Sequence, residues 1–444
     1  MMRARLVLGL LAAGLAGCLA PDVDPAGDLR QASDLVAERS EWTPSWSAPW
    51  ADDTTSWDGR SPLGVRKAVT IALQDNRELR VELEGIAAAR ADLAQSGLLP
   101  NPVLGASLGT SDEGDIHDFS LVEELTQLWL MPAQRDASAA ALQAQIQGAS
   151  DHALRLAADV RIAHARVVFG QRGLALTASQ LELVGRALDV AQARLDAGDA
   201  TQLDVNRLRE EQLSTQADLD GQRAELETAK RELLEKLGLA AAGADWEAAE
   251  EAASPDARLA SLTETDAVAR ASRLRLDVAA ANAEVEQRRA ELRAASLGRI
   301  PEVSAGYDYG KDQDDLRSHG PELELEIPIF DTGKAAVAKA ESELRAAGAA
   351  AEQVLQAAIL QTRSAFVALQ SSLHLASLYQ EQVVSLAQQN LDVAQKTYDA
   401  GEADVTVVLD TQRELGEAQS KLNDLQLGVA TSAAELEYVV GGRL

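Results

Sequence analysis

The chain has 444 residues, a formal net charge of −29 and only 3% aromatic residues. So acidic a chain is excluded as a general nucleic-acid binder, because phosphate groups need a positively charged protein face. The scarcity of aromatic side chains, together with abundant alanine, leucine, glutamate and glutamine, is typical of long helices rather than of a compact mixed core.

The N-terminus predicts export and attachment to lipid. Arg3 and Arg5 precede a short apolar stretch, residues 6–15, which is too short to span a bilayer. The sequence LAGC that follows, ending at Cys18, resembles the lipobox of bacterial lipoproteins. That resemblance implies a signal peptide at 1–17 and a covalent lipid on Cys18. An ordinary signal peptide that happens to contain a cysteine is the alternative.

Residues 18–61 are predicted to form an extended, lipid-anchored segment. In the enterobacterial sorting rule an aspartate after the acylated cysteine retains a lipoprotein in the inner membrane, so Leu19 implies the outer membrane as destination. Four tryptophans are expected to pin this segment onto the rest of the protein, with stacking on a ligand as the alternative. They are Trp42, Trp46, Trp50 and Trp57.

The rest of the chain is predicted to be two copies of one plan. Two stretches recur in the same order and at nearly the same spacing: 98–109 as 299–310, and 194–205 as 397–408. The sequence therefore predicts a first repeat at 62–238, a linker or equatorial region at 239–266 and a second repeat at 267–444.

Each copy is predicted to run helix, strand, strand, long helix, tight turn, helix. In the first copy an apolar seam without charged residues steps by four and three from Leu142 to Leu195, which indicates a coiled coil. A helix over 133–197 would be roughly 98 Å long, whereas helices over 66–97 and 201–237 would be roughly 48 and 55 Å. We expect the long helix to pair with one short helix above and one below, as in the wall of a tube.

Four segments are predicted to be strands: 102–110, 118–130, 302–310 and 320–330. In the last of them one set of apolar residues alternates with three glutamates, which predicts one apolar and one polar face. The two sets are Leu323, Leu325, Ile327 and Ile329, and Glu322, Glu324 and Glu326. Because no other segment offers a core, the apolar face is predicted to meet lipid and the glutamates to line a wet barrel lumen. A soluble sheet with solvent-facing acids is the alternative.

Four strands cannot enclose water, and an open sheet edge is not tolerated in lipid, so several chains must share one barrel. The lipobox, LLPNP at 98–102, IPIFDTGK at 327–334 and YDAGEADVTVVLDTQ at 398–412 resemble the TolC-like outer-membrane factors of efflux and type I secretion systems. The resemblance covers about residues 62–440. It implies a homotrimer with a twelve-stranded outer-membrane β-barrel continued by a periplasmic α-helical barrel, working with a periplasmic adaptor and an inner-membrane transporter.

The resemblance also implies roles for the two tight turns. Gly198 and Gly401 stand where left-handed helix caps are needed, and Gly198, Asp199, Gly401 and Glu402 match the tips that contact the adaptor. Because the local conformation alone explains the glycines, a purely structural role is the alternative.

Three further residues match the family's periplasmic gate: Asp204, Asp410 and Tyr398. Rings of carboxylates in a narrow neck repel one another and attract cations; solvated acids at a helix start are the alternative. Val407 and Ala403 stand where the family can have an aspartate and an arginine, so the resemblance does not predict the gate's ionic lock.

No catalytic site, metal site or cofactor other than the lipid on Cys18 is expected. Ser107 in the G-x-S-x-G match at 105–109 would lie inside a strand, not on the strand-to-helix turn that a nucleophile needs. Asp331 in the single DTG sequence is predicted to be a helix N-cap. The chain is therefore predicted to be mainly α with a small β part and to act as a passive export duct. A non-porous coiled-coil structural lipoprotein is the alternative.

Overall fold

A computed structural model describes residues 21–47, 57–111, 114–239, 242–243, 245–250, 262–311, 316–400 and 402–443. The signal peptide, Cys18, Trp50 and Gly401 lie outside the described residues, so the predictions made for them stay predictions.

The described elements are ten α-helices and four strands. The helices are α1 Ala26–Arg39, α2 Val65–Asp75, α3 Arg77–Ser96, α4 Gln127–Ala197, α5 Gln202–Lys236, α6 Glu264–Leu274, α7 Leu276–Leu297, α8 Lys334–Leu378, α9 Val384–Asp399 and α10 Val405–Val439. The strands are β1 Val103–Ser111, β2 Gly114–Glu124, β3 Val303–Lys311 and β4 Arg317–Leu325. This confirms the predicted mainly helical chain with a small sheet. Among the described helices, none combines the length and the apolar content needed to cross a membrane.

One order of elements occurs twice along the chain: two helices, two strands, a long helix and a final helix. In the second half the long helix is divided into α8 and α9 by a π-helical turn, Tyr379–Val383, whereas α4 runs for 71 residues without a break. The boundaries given above for two repeats and a linker stay a prediction.

Two strand predictions were wrong at their ends. The segment 118–130 is a strand only to Glu124, and the apolar residues 128–131 already belong to α4. The pairing of β2 with β3 stops here because the Val303 N–H donates to the Thr126 hydroxyl oxygen, at 3.0 Å. The segment 320–330 is a strand only to Leu325, so Ile327 and Ile329 lie beyond the sheet.

The predicted N-cap at the start of α8 was also wrong. Gly333, with φ of 70°, occupies the cap position. Asp331 instead accepts a hydrogen bond from the Gly333 N–H at 2.8 Å and so shapes the turn before the helix. Glycine adopts this left-handed backbone without the steric cost that a Cβ would bring.

Helix α4 is the element on which the others pack, and it contacts α1, α2, α3, α5, α7 and α10. The predicted apolar seam of α4 is buried in the N-terminal half of the helix. Its buried residues there are Leu142, Ile146, Ala149, Ala153, Leu156, Val160, Ala163 and Val167. In the lower half Ala187 and Ala191 are buried, whereas Val184 and Leu188 are only half-buried. As predicted, α3 and α5 pack against the same long helix.

Two of the tryptophans predicted to pin the N-terminal segment, Trp46 and Trp57, lie in the largest buried cluster of the described residues. Trp46 donates its indole N–H to the carbonyl of Leu73 at 2.9 Å. Trp57 meets Trp246 edge to face, with ring centroids 5.6 Å apart. Trp42 packs at the edge of this cluster. The segment is therefore held by apolar burial and by indole hydrogen bonds.

A buried polar cluster joins the two halves of the chain. Helix α7 begins after Arg275, whose side chain makes no capping hydrogen bond, and the Asp151 carboxylate of α4 lies near Asp277 in the first turn of α7. Tyr438 donates its hydroxyl to the same carboxylate at 3.0 Å, and Arg275 makes a bidentate pair with Asp277 at 2.9 and 2.6 Å. Burial, followed by the charge of Asp277, raises the pKa of Asp151 to about 6.

We predict that Asp151→Asn flattens the pH dependence of stability. Between about pH 4 and pH 6 the folded state holds a proton on Asp151 that the unfolded chain has released, so stability falls as the pH rises through this range. The variant should avoid about 2–3 kcal/mol of that loss, measured as urea unfolding midpoints at the two ends of the range. The control is Asp189→Asn, an exposed carboxylate on the same helix. Equal pH dependence in the two variants would contradict the assignment.

Candidate functional site

The four strands form one antiparallel sheet in the order β1-β2-β3-β4. The central pair, β2 with β3, brings together the two halves of the chain. Strands β1 and β4 are the edges of the sheet, each paired on one side only within the described residues. Residues directly opposite each other in an antiparallel pair share a face, so the register defines two faces.

The first of these, the apolar face, carries large hydrophobic and aromatic side chains from every strand. They are Leu104, Leu108, Phe119, Leu121, Tyr307, Tyr309, Leu323 and Leu325. Leu104 is 75% exposed and Leu323 is 72% exposed, so nothing within the described chain covers this face. Glu123 is an acidic exception at the end near the helices. An exposed apolar surface of this extent marks a partner or a lipid phase.

The second, the polar face, carries acids, serines and glycines. Its acidic members are Asp118, Glu124, Asp308, Glu322 and Glu324. A Cβ on Gly306 would lie 2.9 Å from the backbone carbonyl oxygen of Leu121, so this position favours glycine. Glu322 and Glu324 therefore share one face as predicted, whereas Glu326 lies just beyond β4, where its N–H donates to the Glu302 carbonyl at 3.0 Å.

At the other end of the molecule two hairpin turns end the long helices. We call residues 194–205 the first tip and residues 397–410 the second tip. Gly198 has φ of 84° and closes α4 with its N–H bonded to the Leu195 carbonyl at 3.0 Å, so its left-handed cap is confirmed. Asp199 and Glu402 are exposed. Contact of these residues with an adaptor stays a prediction.

Asp204, one of the three predicted gate residues, caps the first turn of α5. Its carboxylate accepts hydrogen bonds from the Thr201 hydroxyl at 2.7 Å and the Thr201 N–H at 3.0 Å. The Asp204 N–H donates in return to the Thr201 hydroxyl at 3.3 Å. This is a reciprocal capping box, and the Thr201 hydrogen bonds lower the pKa of Asp204.

The structure does not bring the three gate residues together within one chain. Tyr398 lies on α9 and is 39% exposed, and Asp410 is exposed on α10. Within the described part of the chain, no hydrogen bond or ion pair joins either of them to Asp204. Their common role at a gate stays a prediction.

An ion pair that the sequence did not predict connects the two tips. Arg194, near the end of α4, donates to Asp404 Oδ1 at 2.9 Å, and Asp404 is the N-cap of α10. The hydrogen bond from Arg194 lowers the pKa of Asp404, and the same contact raises the pKa of Arg194. The side chains are 38% and 50% exposed, so the pair contributes little to global stability but fixes one tip against the other.

We predict that the capping box stabilises the first turn of α5 independently of any gating role of the tips. Thr201→Ala removes the hydroxyl partner of Asp204, so amide exchange in the first turn of α5 should speed up about tenfold, as expected for loss of an N-cap. Asp410→Asn, which removes a carboxylate beyond the first turn of α10, should leave exchange at both tips unchanged. Hydrogen exchange with mass spectrometry measures both. Unchanged exchange in Thr201→Ala would show that the box does not hold the turn.

The sequence is similar to those of known outer membrane proteins. A family model described as outer membrane efflux protein matches residues 267–442. The chain is 26% identical over 267 residues to the pyoverdine export outer membrane protein OpmQ of Pseudomonas putida, covering 57% of this chain and 55% of that protein. It is 24% identical over 422 residues to outer membrane protein TolC of Vibrio cholerae serotype O1, covering 89% of this chain and 92% of that protein.

A solved structure shares the fold. A membrane protein from Pseudomonas aeruginosa superposes with a TM-score of 0.72 at 22% identity, over 90% of this chain and 99% of that chain.

Proposed function

The chain belongs to the TolC-like family of outer membrane efflux proteins, and we propose that three copies of it assemble into one passive export duct. It is an outer membrane efflux channel that extends into the periplasm. The family is not enzymatic, and TolC-family channels form trimers in efflux systems. The alternative, a non-porous spacer lipoprotein, leaves the exposed apolar face of the sheet without a purpose.

The observation that carries the proposal is the two-faced sheet with two edges. In lipid every backbone N–H and C=O needs a partner within the protein, so β1 and β4 must pair with other copies. Three copies supply twelve strands and close one barrel. The apolar face then meets lipid, and the polar face, with Glu322 and Glu324, lines the lumen.

Below the sheet the helices form the periplasmic part of the duct. The long helices lead to the two tips, whose residues Gly198, Asp199, Gly401 and Glu402 are the proposed contacts for a periplasmic adaptor. The adaptor connects the duct to an inner-membrane transporter. A lipid on Cys18 holds the N-terminal segment at the outer membrane and adds an anchor to the barrel.

The gate is proposed at the tips. Asp410, Tyr398 and Asp204 are the ring-forming candidates, and the Arg194–Asp404 pair supports a role for electrostatic contacts in keeping the tips together. The exported substrate is not specified by these features, because a passive duct contributes little selectivity.

The assembly is tested by the mass of the protein extracted from outer membranes in a mild detergent. Light scattering corrected for detergent should give three chains per particle, and the same particles should conduct ions in planar bilayers. A monomer or dimer, or release from the membrane by removal of the lipid anchor alone, would support the non-porous lipoprotein instead.

We predict that breaking the cross-tip pair opens the duct. Arg194→Ala and Asp404→Ala should each raise the open fraction of single channels by about threefold, the scale expected for exposed ion pairs, and the double variant should add little. Asp404→Asn, which keeps the side-chain oxygen that caps α10 but removes the charge, should open the duct to the same extent as Asp404→Ala. The control is Arg186→Ala, which removes an arginine paired only with Glu182 of the same helix. An additive double variant would argue against a direct interaction in the closed state.

A further inference from the structure

We infer that the π-helical turn Tyr379–Val383 aligns one apolar stripe along α8 and α9, and that this stripe packs on α3 and α5 of a neighbouring copy. The inference rests on the proposed assembly of three copies and names the contact between their helices. The stripe consists of Leu360, Val367, Leu386 and Val393, and we call it the outer stripe.

The outer stripe is uncovered within the described chain. The exposed fractions are 61% and 60% for its two residues on α8 and 59% for each of its two residues on α9. The helices that α8 and α9 mainly contact are α6, α7 and α10, and these pack on other residues, among them the buried Leu369. A line of large apolar side chains left in water is typical of an interaction surface.

The π-helical turn brings the outer stripe onto one line. Each helix contributes two residues seven positions apart, and this spacing keeps the two on one face of an α-helix. Val367 and Leu386, however, are 19 positions apart, which would put them about 100° out of line in an uninterrupted α-helix. A π-helical turn holds one residue more than an α-helical turn, so the two residues lie about five complete turns apart. The turn thus lets α9 continue the stripe of α8.

The described helices form a row with two outermost members, as the strands do. Next to the tips α5 packs on α4, α4 on α10, and α10 on α9, so α5 and α9 are outermost. Nearer the sheet the row is α3, α4, α7 and α8. Because β4 of one copy pairs with β1 of the next in the proposed barrel, α8 and α9 face the next copy's α3 and α5.

The edge formed by α3 and α5 offers a matching surface. Helix α3 begins where α5 ends, since the Asn76 side-chain amide donates to the Lys236 carbonyl at 2.9 Å. Val81 of α3 is 70% exposed and Leu213 of α5 is 64% exposed. Between them α5 presents a line of exposed small residues: Ala217, Gly221, Ala224 and Thr228. Small side chains let a second helix approach closely, so that its large side chains fill the space.

The two surfaces also match in height above the tips. The cross-tip ion pair holds the two tips beside each other. Leu386 lies 15 residues before the glycine of its tip and Leu213 lies 15 residues after Gly198, so each is about 22 Å along its helix. By the same count Leu360 and Val81 lie within about one helical turn of each other in height. Large apolar residues therefore meet at two levels of the proposed contact.

A different protein on the outer stripe is the competing explanation, because any partner outside the duct would also cover apolar side chains. The small residues of α5 and the matched heights favour a second copy. A partner of another kind would not require a complementary surface at the opposite edge of the same chain.

The test is cross-linking of cysteine pairs in outer membranes with a short bifunctional maleimide. Leu386→Cys combined with Leu213→Cys, the lower pair, should join each copy to the next and give a covalent trimer on a denaturing gel. Leu360→Cys combined with Val81→Cys, the upper pair, should do the same nearer the sheet. The matched control is Leu386→Cys combined with Asp218→Cys, an exposed position on another face of α5, which should give no covalent trimer.

The role of the π-helical turn is tested on the same pairs. Deletion of Gln382 removes the additional residue and turns the α9 part of the outer stripe by about 100°. The lower pair should then lose its covalent trimer, whereas the upper pair should keep it and so show that the chains still assemble.

The outcomes separate this inference from the proposed function. A conducting trimer in which neither pair cross-links would overturn the contact between copies and leave the duct intact. A deletion that leaves both pairs cross-linked, or that abolishes both, would overturn the role assigned to the π-helical turn. A protein that neither forms trimers nor conducts would overturn the inference and the duct together.

Discussion

Unpaired backbone groups at a sheet edge are the constraint on which the rest of the structure depends. A strand edge in lipid leaves each N–H and C=O without a partner, at a cost of several kcal/mol for every group. One chain has two such edges, β1 and β4, and a fully exposed apolar face between them. A single chain therefore cannot satisfy the backbone hydrogen bonds of its sheet edges in a membrane. The pairing of β2 with β3 ensures that each copy delivers a four-strand unit, so that closure needs only contacts between copies.

The helical part meets a different requirement, because it must hold the tips in a fixed position a long way from the sheet. Helix α4 is continuous from the base of the sheet to the first tip, and six of the nine other described helices pack on it. Where its neighbours end, local polar contacts add to the packing: Thr201 and Asp204 cap α5, and Arg194 reaches across to the second tip. These polar contacts lie at helix ends, where orphan backbone groups are concentrated.

Much of this arrangement was readable from the sequence, because it depends on local patterns. The alternation of leucine and glutamate identified the two faces of β4, and the tight turn at Gly198 identified the left-handed cap. The errors occurred where one local pattern fits two structures. The apolar run at 128–131 suits a strand or a helix, and only the arrival of β3 beside Thr126 decides in favour of the helix.

The tertiary contacts could not be predicted in this way. Nothing local to Arg194 indicates that it meets Asp404, because the two residues become neighbours only when both hairpins are in place. The hydrogen bond from Tyr438 to Asp151 is of the same kind. The capping box at Thr201 and Asp204, in contrast, joins residues three apart and could have been predicted from that spacing. The family resemblance instead suggested a gate role for Asp204.

The pairing of β2 with β3 also sets an order of events during biogenesis. Strands β1 and β2 emerge early as a lone hairpin, and an isolated two-stranded hairpin is at best marginally stable in water. Its sheet partners arrive only after α4, α5, α6 and α7 have been made, so the closing contact spans a long loop and is slow to form. Throughout this interval the strands that carry the apolar face remain unassembled in an aqueous compartment. The topology thus creates an aggregation-prone intermediate that persists until the later strands have been made.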